Sequence, residues 1–261
     1  MSTRPLILAS SSPRRRELLG LSGLDFEVRP AAADETAWPG ESPESFARRM
    51  SHTKAGLVAG GAAAGAPANI PAGTPANVPA AAVIIGADTI VVLDDETLAG
   101  DEPAAPSILG KPSGPGQAVE MLQRLRARSH RVLTAVSVVD TATGAQRDDL
   151  VTAGVPMRHY SDDEIRAYVA TGNPLDKAGA YAIQFAGFQP VDLPRFHDCF
   201  ATVMGLPVCS VLGLLAQAGV EAPLPRPAAD CHHFDPGACP IYPLINRSGG
   251  TRTESERERE R

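Results

Sequence analysis

The stretch from 83 to 93, VIIGADTIVVL, constrains the fold more than any other part of the sequence. Apolar and β-branched residues stand on both sides of Asp88, a pattern typical of a strand that is buried on both faces of a sheet. Burying a carboxylate in such a strand is costly unless it pairs with a cation or binds a metal. We therefore expect a central strand with a functional Asp88. The alternative is an aspartate that caps a turn at a strand end.

Further strands and helices are predicted around this strand. Residues 6–9 are a short apolar run, and Ser10 to Pro13 then lead into a helix over 14–21, because serine caps helices and proline suits their first turn. The unpaired N–H groups at such a helix start favour anion binding. Periodicity and capping patterns also predict helices at 42–58, 115–127, 161–171 and 205–219, an antiparallel hairpin from 130–139 and 149–158, and a polar loop over 94–110.

Charge and hydropathy limit the class of protein. The 261 residues carry a formal net charge of -6, which argues against wholesale binding to a nucleic-acid backbone but allows a local basic cleft. No apolar run approaches the roughly 18 residues of a membrane span, and the run at 6–9 is too short for a signal peptide. We expect a cytoplasmic protein with no membrane contact, whose four cysteines are reduced.

Two segments differ in composition from the rest of the chain. Residues 60–82 are almost wholly Gly, Ala, Pro, Asn and Thr, which predicts a flexible insertion within a domain over 1–221. Residues 222–261 are rich in proline and end in ESERERER, which predicts a charged, disordered tail. The tail contains Cys231, His232, His233 and Cys239, but their spacing is not that of a zinc finger, so a zinc site is disfavoured.

Lysine is scarce in this chain. Of the 24 basic residues only three are lysines, at positions 54, 111 and 177, and the other 21 are arginines. In so arginine-rich a chain, we expect lysine where a compact ammonium does what a planar guanidinium cannot. Chance survival at the surface is the alternative.

Basic and acidic clusters recur along the sequence. The basic ones are Arg14 to Arg16 at a helix start, Lys111 in a Gly-Lys-Pro turn, and Lys177; the acidic candidates are Asp34, Glu35, Asp88 and Asp176. Phosphate-ester hydrolysis needs both kinds, because cations neutralise phosphate oxygens while carboxylates hold Mg²⁺ or orient water. The sequence contains no GxxxxGK[ST] loop, which disfavours a phosphate-releasing NTPase of that type.

The order of these motifs resembles the Maf family of nucleoside triphosphate pyrophosphatases. The motifs are SSSPRRRELL, ADE, a helical lysine, GADTIV, GKP, HRVLTAV, SDDEIRAYVATGNPLDKAGAYAIQ and GLP, and they extend from about Leu6 to Leu215 around the Ala/Pro insertion. The resemblance implies an α/β fold with a mixed twisted sheet, helices on both sides and two lobes around a deep cleft, in which the hairpin near 130–158 forms much of the second lobe. It also implies hydrolysis of a nucleoside triphosphate to the monophosphate and pyrophosphate, a divalent cation (Mg²⁺ or Mn²⁺) as cofactor, and a possible homodimer.

The same resemblance implies a role for individual residues. Ser10, Arg14 and Arg15 match a phosphate-gripping loop, and Lys54, Lys111 and Lys177 match phosphate-facing lysines. Asp88 matches the proton acceptor, and Glu35, Asp88 and Asp176 match positions at the metal. Arg14, Thr89 and Gln184 match the positions that distinguish enzymes of the dTTP/UTP type, with Thr89 and Gln184 expected to read the base edge. His130 is expected to be structural.

The sequence departs from the family pattern in one region. Phe185 stands where a glycine commonly follows the glutamine, and the stretches 195–198 and 201–205 replace the usual loop sequence. This altered region is the sequence support for a second hypothesis, a nucleotide-binding regulator of cell division or stress with little turnover.

Overall fold

The sheet is built around the predicted buried strand. In the computed structural model, which describes residues 4–60, 78–79, 81–94, 106–222 and 239, this strand is β3 (Val83–Leu93). It pairs in parallel with β1 (Leu6–Leu8) on one side and antiparallel with β5 (Ser129–Asp140) on the other. Because β3 is paired along both of its edges and helices cover the sheet, nearly all of β3 is buried, as its apolar composition predicts.

Three further strands complete a mixed sheet. The two-residue β2 (Glu27–Val28) lies parallel to β1, and β6 (Gln146–Pro156) lies antiparallel to β5. The strand order is β2-β1-β3-β5-β6, and β4 (Ser107–Leu109) pairs with the end of β3. The predicted mixed sheet and hairpin are confirmed. The interpretation of 94–110 as loop throughout is wrong, because three residues are too few to show a strand period.

Helices begin largely where the serine and proline signals place them. The helices are α1 (Pro13–Gly20), α2 (Pro43–Val58), α3 (Pro115–Leu125), α4 (Asp162–Ala170), α5 (Phe200–Met204) and α6 (Val208–Gln217). Ser12, Ser42 and Ser161 cap α1, α2 and α4 with their hydroxyl groups. The last predicted helix, 205–219, starts later than expected, because Gly205 has a φ of +110° and ends α5 instead.

A close contact between α2 and β3 brings opposite charges together. A Cβ added to Gly86 would lie 2.3 Å from the carbonyl oxygen of Ser51 and 2.7 Å from the nitrogen of Ala55. Only glycine allows the helix backbone to approach the strand so closely. Lys54, in the same turn of α2, therefore lies beside Asp88, two residues after Gly86 on β3.

Several expectations concern larger features. The hairpin of β5 and β6 is continuous with the sheet, because β5 pairs with β3 from Val83 to Val92, so the division into two lobes stays a prediction. The described residues exclude 61–77 and 80 of the Ala/Pro insertion, residues 95–105, and the tail from 223 onward apart from Cys239. The expectations for Cys231, His232 and His233 therefore lie outside the described residues. In the part of the chain that the structure describes, no helix has the length and apolar character needed to cross a membrane.

Candidate active site

A single cavity collects the residues that the sequence predicts for the site. Its volume is about 330 Å³, and it lies where α1, β3, α2 and the loops around 111 and 177 meet. Its lining includes every predicted site residue: Ser10, Arg14, Arg15, Glu35, Lys54, Asp88, Thr89, Lys111, Asp176, Lys177 and Gln184. Two neighbouring candidates lie elsewhere: Asp34 accepts hydrogen bonds from Thr36, and Arg16 is exposed outside this cavity.

Two carboxylates share one ammonium in this cavity. The Nζ of Lys54 lies 2.6 Å from Oδ1 of Asp88 and 2.7 Å from Oε1 of Glu35. Lys54 and Asp88 are buried, whereas the Glu35 side chain is 52% exposed and faces the open part of the site. Burial raises the pKa of Glu35, but the hydrogen bond and charge of Lys54 and the charges of Lys111 and Arg15 outweigh burial and lower it. The pKa of Glu35 is therefore lowered, and the carboxyl groups of Glu35 and Asp88 are both held against one compact cation.

The carboxylate geometry also leaves room for a ligand. Oδ2 of Asp88 has no hydrogen bond within the described part of the chain, so it can accept one from water. Among the described residues there is no group of three or more His, Cys, Asp and Glu side chains that could enclose a metal. Glu35 and Asp88 supply hard oxygen donors, which fit a Mg²⁺-type ion that takes one or two carboxylates and completes its shell with phosphate and water.

The two remaining lysines are brought together by a backbone contact between their loops. The N–H of Gly179 donates to the carbonyl of Gly110, 3.1 Å away, which joins the turn of Lys111 to that of Lys177. Gly179 has a φ of +67°, in the left-handed region that favours glycine. Lys177 donates to Asp176 and to the carbonyl of Asn173, whereas Lys111 is exposed and has no ion pair among the described residues.

Arg15 is held by a set of fixed acceptors. Its Nε donates to the carbonyl of Gly205 (2.9 Å), Nη1 to Oγ of Ser10 (3.2 Å) and Nη2 to Oγ1 of Thr89 (3.0 Å). Burial lowers the pKa of Arg15, and the negative charges of Asp88 and Glu35 oppose that shift. Three of the five guanidinium N–H groups are thus used by the protein, and two are left for an anion in the cavity.

Arg14, Asp176 and Gln184 also line the cavity. The pKa of Asp176 is raised by burial but lowered more by Lys177, next to it, and by the charge of Arg14. Asp176 thus pairs with a lysine and does not join Glu35 and Asp88 in a three-carboxylate cluster, so its role at a metal stays a prediction. Neither Arg14 nor Gln184 has a side-chain hydrogen bond in the part that the structure describes, which leaves both able to contact a ligand.

Arg49 fixes the loop that carries Glu35. It forms a bidentate ion pair with Glu41, with both N–O distances 2.6 Å, and donates to the carbonyl of Thr36. Its guanidinium also stacks over Trp38, 4.1 Å from the ring centroid. Because Arg49 lies on α2, the same helix positions Lys54 and the loop of Glu35. The sequence does not predict these contacts of Arg49, because they belong to no recognisable motif.

The region that departs from the family pattern packs into the core and, at its end, contacts a residue of the site. Phe196 is buried, and Asp198 accepts a hydrogen bond from the N–H of Gly154 at 2.7 Å. Phe185 packs against the ring of Tyr168, with centroids 5.4 Å apart. At the end of this region, the carbonyl of Gly205 accepts from Arg15. The altered sequence therefore still supplies a direct contact to the candidate phosphate-binding arginine.

His130 is a packed side chain, as expected. It is 2% exposed, and burial lowers its pKa to about 3, so the ring is neutral. Its Nε2 lies 2.8 Å from the hydroxyl of Tyr181, whose ring lines the cavity. His130 thus supports the wall of the site from behind.

Comparisons with known proteins identify relatives of this chain. Residues 5–218 match the family of Maf-like proteins. The dTTP/UTP pyrophosphatase of Syntrophus aciditrophicus is 38% identical over 219 residues, which cover 84% of this chain and 92% of the relative. The dTTP/UTP pyrophosphatase of Anaeromyxobacter dehalogenans (strain 2CP-1) is 39% identical over 224 residues, or 85% of this chain and 98% of the relative. A solved nucleoside-triphosphatase / dITP/XTP pyrophosphatase from Mycobacterium abscessus aligns at 12% identity and a TM-score of 0.33, over 59% of this chain and 74% of that one.

Proposed function

This chain belongs to the Maf family, and on that premise we propose that it hydrolyses nucleoside triphosphates to the monophosphate and pyrophosphate, with dTTP and UTP as its substrates. The observation that carries the proposal is the shared cavity in which Lys54 lies between the carboxylates of Glu35 and Asp88. Cationic side chains that line the same cavity supply the positive charge that binding of a triphosphate requires. The relatives named above are themselves named for this activity.

Several cationic side chains bind the oxygens of the triphosphate in this proposal. Arg15 offers two fixed N–H donors, which suits bidentate binding of phosphate oxygens. Lys111 and Lys177 supply charge from the two loops joined by Gly110 and Gly179, and Arg14 adds charge at the start of α1. Together these groups neutralise the triphosphate and stabilise the charge that develops on the leaving pyrophosphate.

Asp88 acts as the proton acceptor in this mechanism. Its Oδ1 is held by Lys54, and Oδ2 takes a proton from the water that attacks the α-phosphorus. The bond from the α-phosphorus to the oxygen that bridges to the β-phosphate breaks, and pyrophosphate leaves with that oxygen. The contact of 2.6 Å with Lys54 orients Asp88, and Glu35 contacts the same ammonium at 2.7 Å.

A divalent cation fits the acidic side of the cavity. Glu35 and Asp88 would hold Mg²⁺ or Mn²⁺, with Asp176 a further candidate ligand, and the ion would supply charge neutralisation at the phosphate oxygens. We propose Thr89 and Gln184 as contacts to the base. Gln184 has its amide free for this within the described part, whereas the Thr89 hydroxyl already binds Arg15.

A nucleotide panel tests the function. We expect dTTP and UTP, with Mg²⁺ or Mn²⁺, to give pyrophosphate and the monophosphate faster than CTP and GTP, in an assay that measures pyrophosphate and orthophosphate separately. Release of orthophosphate instead of pyrophosphate would contradict the proposal. Calorimetric binding of dTTP with no product would favour the nucleotide-binding regulator.

A further inference from the structure

A chain of hydroxyl groups continues from Arg15 into the core of the sheet. Thr89 on β3 and Thr134 on β5 are direct cross-strand partners, and their Oγ1 atoms lie 3.0 Å apart. The Oγ1 of Thr134 lies 2.9 Å from the carbonyl oxygen of Thr202 in α5. Thr134 is fully buried and is absent from the cavity wall, so it touches no substrate.

Each hydroxyl group has only one hydrogen to donate, and this fixes the direction of these hydrogen bonds. A carbonyl oxygen cannot donate, so the single hydroxyl hydrogen of Thr134 goes to Thr202. Thr134 must then accept from Thr89 across the 3.0 Å contact. Thr89 in turn accepts from Nη2 of Arg15. The hydrogen bonds therefore run in one direction: Arg15 to Thr89, Thr89 to Thr134, and Thr134 to the carbonyl of Thr202.

The same segment of backbone holds Arg15 from its other side. The carbonyl of Gly205 accepts from Nε of Arg15, and the N–H of Gly205 donates to the carbonyl of Thr202 at 3.0 Å. The carbonyl of Thr202 is thus linked to the guanidinium of Arg15 in two ways. One set of hydrogen bonds passes through the side chains of Thr134 and Thr89, and the other passes through the backbone of Gly205. Without the hydroxyl of Thr134, Thr89 would have only the carbonyl of Gly205, 3.4 Å away, as its acceptor.

We propose that Thr134 is a positioning residue for the proposed hydrolysis, because it orients the Thr89 hydroxyl and so fixes the guanidinium of Arg15 against the phosphate chain. The inference rests on the proposed function only where turnover is the readout. Anion binding by Arg15 is a separate consequence. A fixed fork binds phosphate oxygens better than a mobile one, because less side-chain freedom is lost on binding.

The test uses Thr134→Val, which keeps the side-chain shape but removes the hydroxyl, and Thr134→Ser, which restores a hydroxyl. We expect Thr134→Val to lower kcat/KM for dTTP about tenfold, the value of one well-placed hydrogen bond, and Thr134→Ser to recover most of that loss. Thr141→Val is the matched control. It also removes a hydroxyl bond to a backbone carbonyl, that of Ala82 at 3.0 Å, but outside the site, and should leave kcat/KM unchanged.

A double-mutant cycle separates positioning from general destabilisation. In an Arg15→Lys background, Thr134→Val should have no further effect on kcat/KM, because the group that it positions is gone. An equal loss in both backgrounds would overturn the inference, as would an unchanged rate in Thr134→Val or a failure of Thr134→Ser to recover activity.

Binding of inorganic pyrophosphate, measured by calorimetry, distinguishes failure of the inference from failure of the proposed function. If the unsubstituted protein binds pyrophosphate but releases none from dTTP, the proposed function fails, and about tenfold weaker binding in Thr134→Val still supports the positioning role. Equal binding by the two proteins, or no binding to the unsubstituted protein, would overturn it.

Discussion

At the scale of single residues, the scarcity of lysine follows the chemistry of the cavity. All three lysines line it, although arginine supplies most of the positive charge in the chain. The Nζ of Lys54 fits between two carboxylate oxygens at 2.6 and 2.7 Å, a geometry that suits a compact ammonium better than a planar guanidinium. Arg15 shows the converse, because its fork contacts three separate acceptors.

Lys111→Arg tests whether a point charge is required on the exposed side of the cavity. We expect kcat/KM for dTTP to fall about tenfold or more, because the larger guanidinium cannot take the position of the ammonium at the phosphate chain. Arg166→Lys, at an exposed pair with Asp163, is the control and should have no effect. An unchanged rate in Lys111→Arg would mean that the scarcity of lysine has no functional meaning here.

Residue types in the site could be predicted from sequence, but their connections could not. The residue types at Lys54, Asp88 and Lys177 indicate their chemistry, whereas Thr134, within HRVLTAV, has hydrogen-bond partners 45 and 68 positions away. Arg15 likewise contacts Gly205 at a separation of 190 residues. Such contacts depend on which strands and turns become neighbours, and a single sequence does not specify this at atomic detail.

At the scale of elements, the packing of α2 on β3 determines the acid–ammonium–acid arrangement. The contact depends on Gly86, because the backbone of α2 occupies the space that a Cβ would need. Helix α2 also carries Arg49, whose ion pair with Glu41 fixes the loop of Glu35. One helix therefore sets the positions of Lys54 and Glu35 relative to Asp88.

Gly86→Ala should separate these elements. We expect a loss of about 1–3 kcal/mol in the free energy of unfolding, because the added methyl group overlaps backbone atoms. Pyrophosphate release from dTTP should fall as well, since Lys54 moves with the helix. Gly213→Ala, on α6 with nothing within 4 Å of the added Cβ, is the matched control and should leave activity unchanged. Urea unfolding measures the first effect, and a Gly86→Ala protein as stable and active as the unsubstituted one would contradict the account.

Long elements with clear caps could be predicted, and short ones could not. The capping box of Ser161 and Glu164 and the β-branched run of β3 are local signals of the element that forms. The two residues of β2, the three of β4 and the five of α5 are too short to show a period. The two strands form because neighbouring strands offer hydrogen bonds, and α5 is stabilised by the burial of most of its side chains.

At the scale of the whole molecule, Arg4 joins distant parts of the chain. It forms an ion pair with Asp140 at the end of β5 and donates to the carbonyls of Ala81 and, after α6, Ala218. Hydrogen bonding to Arg4 lowers the pKa of Asp140 to about 2. Arg4 thus joins the residues before β1 to the end of β5, the residues before β3 and the end of α6.

Asp140→Asn should weaken this connection in a pH-dependent way. A carboxylate with a lowered pKa stabilises the folded state above its unfolded pKa and loses that effect as pH falls through the folded value. We expect the variant to be less stable by about 1–2 kcal/mol near pH 7, and the difference to shrink as pH falls from about 4 to about 2. Urea titrations across this range measure it, and a difference that does not change with pH would show that the ion pair is not its source.

The most direct test of the account is the rate of pyrophosphate release from dTTP by Asp88→Asn in the presence of Mg²⁺. Asparagine has nearly the same shape but cannot accept the proton of the attacking water, so the rate should fall about 10²- to 10⁴-fold. Calorimetry should still show dTTP binding, and the variant should unfold cooperatively like the unsubstituted protein. Near-normal pyrophosphate release by Asp88→Asn would contradict the assignment of Asp88, and with it the claim that this cavity carries out the hydrolysis.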